Sequence, residues 1–140
     1  VLVSCSQLAS LADGDAGKTA LSIAVSKGGL IWSVVLARGI LCNALVCVAV
    51  WLAMGSRSVA DKILAILFPI TAFVTLGLEH SIANWFFLSY GVLLDSTSQI
   101  TATSMAINLV ASTIGNLIGG TLLVAAIYWT AYLRTAGSDH

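Results

Sequence analysis

The chain has 140 residues, 59% hydrophobic and 9% charged, with a mean hydropathy of +1.00. Charged residues make up roughly a quarter of an ordinary soluble domain, so this composition is that of a protein solvated by the lipid bilayer. Six Lys+Arg balance six Asp+Glu, which leaves no net charge to attract nucleic acid or an acidic partner.

The opening residues, VLVSCSQLAS, are apolar but lack a basic start, so they read as the tail of an element rather than a signal peptide. Residues 10–29, with Asp13, Asp15, Lys18, Lys27 and four glycines, read as an aqueous loop between membrane elements. Residues 30–54 are 25 long against the ~20 a spanning helix needs, with Trp32 and Trp51 as interfacial anchors. Arg38 and Asn43 interrupt this span and should face protein or water rather than lipid; for Arg38, snorkelling from the first third of the helix is the preferred reading. Cys42 and Cys47 in the same span, like Cys5, read as small apolar residues without metal or redox spacing.

After a polar turn at 55–62, the next apolar run extends from Ile63 to Leu94. As one straight helix it would measure about 48 Å, well beyond a ~30 Å hydrocarbon core. A break is required, and the cluster Glu79, His80, Ser81, Asn84 places it near residues 77–81. Pro69 could add a kink earlier. Residues 95–104 read as a polar loop, and 105–133 as a last span ending in Tyr128, Trp129 and Tyr132. Within that span Gly115 and Gly119, flanked by Ala111, Ser112, Asn116 and Gly120, form a small-residue face for close helix packing. Arg57, Lys62 and Arg134 place the turn and the C-terminus in the cytoplasm, although Lys18 and Lys27 then run against the bias.

Glu79 is the only glutamate, and apart from His140 at the end of the chain His80 is the only histidine. A polar pair that merely closes a helix break is one reading. The other is a titratable group on a translocation path, because intramembrane ionisable residues are usually functional and imidazole exchanges protons near pH ~6.5. His80 and Asn84 are four apart and share a helical face; Phe73, seven before His80, falls near it and could narrow a pore. No acid, histidine and nucleophile set, phosphate loop or carboxylate pair is available, so no enzyme is expected, and no cofactor or metal.

The motifs RGILCNALVCVAVWLA, SVADKILAILFPITAFVTLGLEHSIANWFF and TIGNLIGGTLLVAAIYW, in that order, resemble the C-terminal half of the formate/nitrite transporter family, closest to its formate channels. The resemblance implies an all-α membrane protein with an aquaporin-like six-helix fold of two inverted repeats, assembled as a homopentamer in the cell inner membrane. Residues 1–140 would supply the end of the third helix and helices four to six, with the N-terminal repeat absent. It assigns His80, Asn43 and Phe73 to the substrate pathway and Lys27, Glu79 and Asn84 to a polar network. Trp85 stands where the family usually has Met. The implied function is passage of small monovalent anions, formate first, by a passive or proton-coupled channel. A nitrite or hydrosulfide channel, an aquaporin-like neutral-solute channel and an inactive fragment are the alternatives.

Overall fold

A computed structural model describes residues 7–96 and 99–133, and these form helices joined by short turns. A 3-10 turn, Leu8–Gly14, leads into α1 (Asp15–Gly28), followed by α2 (Trp32–Gly55), α3 (Val59–Thr75), α4 (Ser81–Leu94) and α5 (Ala102–Leu117). The helical path of α5 continues through a π-helical stretch, Ile118–Val124, a short turn α6 (Ala125–Tyr128) and a second π-helical stretch, Trp129–Leu133. The expectations resting on Cys5, Arg134 and His140 lie outside the described residues.

The first correction concerns residues 10–29. Most of this segment is helix α1, not an aqueous loop. Its charges mask an alternation of small residues: Gly17, Ala20 and Ala24 are buried, spaced by three and four along one face. Ala24 joins Leu88, Ile100 and Leu109 in an apolar cluster, and a methyl group at Gly91 would collide with the Ala24 side chain. Small residues let α1 and α4 approach closely, and this contact carries Lys27 to the level of the helix break.

The break falls where excess length demands it. α3 ends at Thr75 and α4 begins at Ser81. Gly77 adopts φ +60°, Leu78 N–H donates to the Phe73 carbonyl at 3.0 Å, and Gly77 N–H donates to the Val74 carbonyl at 3.1 Å. This is a Schellman termination, which depends on a residue that tolerates the left-handed region. Pro69 lies inside α3, and the helix continues past it. Two capping boxes start their helices: Ser58 with Asp61 on α3, and Thr101 with Ser104 on α5. The polar loop therefore closes at Thr101, three residues earlier than its composition suggests.

α2 has 24 residues and the run from Ala102 to Ala131 has 30, so both are long and apolar enough to cross a membrane. They pack along the expected small-residue face. A side chain at Gly115 would come within 2.5 Å of the Leu36 carbonyl oxygen, and one at Gly119 would collide with that of Ile40. Gly39 completes the contact from α2, facing the Ser112 carbonyl. The interior holds polar side chains among its apolar ones: Glu79, Asn84, Asn108, Ser112 and Asn116 are buried beside Val35 and Leu88, while Leu64, Phe68, Ile82 and Leu93 are exposed. Large apolar side chains on the outside fit an apolar solvent.

Candidate functional site

Breaking a helix at membrane depth strands its last carbonyls and the first N–H groups of the next helix. One side chain on α5 meets both needs. Asn116 Nδ2 donates to the Glu79 carbonyl at 2.8 Å and to the Gly39 carbonyl at 3.0 Å, while its Oδ1 accepts from Ser81 N–H at 3.0 Å. His80 is the N-cap residue of α4, and its side chain makes no capping bond. Its ring centroid lies 5.9 Å from that of Phe73, the rings tilted by 31°.

Glu79, its neighbour, is buried. Its carboxylate is 1% exposed and accepts from Lys27 Nζ at 2.9 Å and from Asn84 Nδ2 at 2.6 Å. Asn84 Nδ2 also reaches Asn108 Oδ1 at 2.8 Å, and Asn108 Nδ2 returns to the Lys27 carbonyl at 3.0 Å. Three helices and the break are thus tied around one carboxylate: α1 through Lys27, the break through Glu79, α4 through Asn84 and α5 through Asn108. A buried charge survives only with such pairing and hydrogen bonding. The structure brings Lys27, Glu79 and Asn84 into side-chain contact, and Asn108 and Asn116 join the same set of hydrogen bonds. A signal for these two exists in the sequence: Asn108, Ser112 and Asn116 recur every four residues as a polar stripe on an apolar helix.

A cavity of about 430 Å³ opens beside this network. His80, Phe73, Leu78, Lys27, Glu79 and Arg38 are among its walls. Arg38 lines the cavity, half-buried, which agrees with the expectation that it faces protein or water and not with the preferred reading that it snorkels. Asn43 takes a different place. Its Nδ2 donates to the Asn116 carbonyl at 2.6 Å and presses against Gly120, and it does not line the cavity with His80 and Phe73. The helix widens into its π-helical stretch from Ile118 onward, as happens where a side chain inserts into the backbone ladder. Asn84 is fully buried and also stands behind the cavity wall. Among the described residues no group of three His, Cys, Asp or Glu gathers as for a metal.

The formate/nitrite transporter family model matches residues 1–130. The chain belongs to the formate/nitrite transporter family. Relatives within it include a probable formate transporter of Methanothermobacter thermautotrophicus, 43% identical over 105 residues, and the formate channel FocA of Escherichia coli, 39% identical over 119 residues. These alignments cover 75% and 73% of this chain but 38% and 41% of the two relatives, so the chain spans about two fifths of their length. A solved pentameric formate channel with formate bound superposes with a TM-score of 0.82 at 29% identity, covering 94% of this chain and 58% of that one. Proteins of the formate/nitrite transporter family named here are transporters and channels, not enzymes.

Proposed function

We propose that this chain forms the C-terminal half of a channel protomer for small monovalent anions, with formate as the substrate it fits best. The observation that carries this reading is the placement of His80: at the helix break, on a cavity wall, 5.9 Å from the Phe73 ring and backed by a buried carboxylate already neutralised by Lys27. An anion approaching the cavity meets the positive end of the α4 dipole. The apolar constriction around Phe73 then penalises a bare charge, and a proton from His80 lowers that penalty. In this reading His80 and Phe73 meet the substrate, Lys27, Glu79 and Asn84 hold the break open, and Asn43 acts beside the pathway through its amide.

The fold proposed for the complete protomer is an aquaporin-like pair of inverted repeats, with the first repeat supplying the opposite pore wall. The assembly proposed is a homopentamer in the inner membrane. It is supported by the likeness to the pentameric formate channel and by the 41% coverage of the Escherichia coli relative.

Flux into proteoliposomes tests the proposal. The full-length protomer should carry formate, whereas residues 1–140 alone should insert and conduct poorly until the N-terminal half is supplied in trans. Osmotic shrinkage without formate movement would select a neutral-solute channel, and full transport by residues 1–140 alone would refute the division into halves.

A further inference from the structure

We propose that Arg38 is the side chain that binds the anion in the cavity, and that its guanidinium selects planar two-oxygen anions over single-centre anions of the same charge. The proposal rests on the anion-channel reading above.

Four ionisable side chains line the cavity: Lys27, Arg38, Glu79 and His80. Lys27 is already engaged, its Nζ 2.9 Å from a carboxylate oxygen that is shielded from solvent, so the Lys27 and Glu79 charges cancel locally. Arg38 differs. Among the described residues it makes no ion pair and no hydrogen bond, and a guanidinium carries five N–H donors. It is the seventh residue of α2, about 10 Å along the helix axis by the usual rise, and one residue from Gly39, where α2 touches Asn116. A charge held at that depth toward lipid would be costly, and the chain holds it toward the cavity instead.

The chemistry of the group sets the preference. A guanidinium presents two parallel N–H donors in a rigid plane, which match the two oxygens of a carboxylate or another planar oxyanion. Hydrosulfide offers one centre and cannot use the second donor. A lysine at the same place would keep the charge and lose the fork. The cavity therefore has two cations with separate work: Lys27 neutralises the buried carboxylate that shapes the break, and Arg38 holds the passing anion.

The test is uptake of formate and of hydrosulfide by the full-length protein in proteoliposomes, comparing wild type, Arg38→Gln and Arg38→Lys for KM, maximal rate and assembly. Arg38→Gln should raise the formate KM about tenfold, the loss expected for one charge-assisted hydrogen bond, and should flatten the dependence on salt. Arg38→Lys should keep the hydrosulfide KM within about twofold while raising that for formate severalfold, because only the fork is gone. If Arg38→Gln does not assemble, the Arg38→Lys comparison alone decides. An unchanged formate KM in either variant, or lost thermal stability with KM intact, would overturn the proposal and make Arg38 a structural ion partner. A wild type that moves neither anion would overturn the channel reading itself.

Discussion

Asn116 Nδ2 donates to the Glu79 carbonyl at 2.8 Å, so an amide on α5 ends the chain of backbone bonds where α3 and α4 part. The same side chain accepts from Ser81 N–H, which makes it the joint between both half-helices. Asn116→Leu should leave at least two buried backbone groups unpaired, each worth about 1–3 kcal/mol. The expected outcome is a marked drop in the melting temperature of the assembled protein in detergent. A melting temperature equal to that of wild type would show that the break is satisfied by other groups.

The Lys27 and Glu79 side chains are 15% and 1% exposed, and their 2.9 Å contact is the buried ion pair of the site. Removing one partner strands the other, at about 3–5 kcal/mol. Lys27→Met and Glu79→Gln should therefore each destabilise strongly, and the double variant should recover part of the loss. Additive losses measured by thermal or denaturant unfolding would argue against direct coupling.

Gly119→Leu and Gly115→Leu place side chains against the backbone of Ile40 and Leu36. Backbone cannot yield as a flexible side chain can, so α2 and α5 must separate. Loss of folded, assembled protein on size exclusion is expected, with anion preference unchanged in whatever survives. Normal assembly with altered preference would instead put this face on the permeation path.

His80→Phe should abolish the pH dependence of formate uptake across pH 5 to 8. Protonation adds positive charge, so wild-type uptake should rise as pH falls and the imidazole takes up a proton, and fall as pH rises and the proton is lost. Lys27, Arg38 and Glu79 line the same cavity and set the field in which this occurs. Asn43→Ala should weaken uptake by a factor matching the ~1 kcal/mol of a neutral hydrogen bond, with the pH profile retained. A wild-type profile in His80→Phe would make His80 a plug for the break.

The sequence by itself determined the lipid-solvated class, the two long spans, the break within one residue of its observed place, and the Gly115 and Gly119 contact. Each rests on a local property: hydropathy over a window, length against bilayer thickness, or residue size on one helical face. Tertiary structure decided the rest. Residues 10–29 look polar along the chain, and only packing against α4 shows that Gly17, Ala20 and Ala24 form a buried face. Asn116 looks like one more small polar residue until α5 is laid across the break, where a single amide meets groups 35 and 37 positions away. Arg38 could equally snorkel or face inward, because a charge about two turns from a helix end has both solutions. Only the neighbouring helices create the cavity that gives its guanidinium a polar side to face.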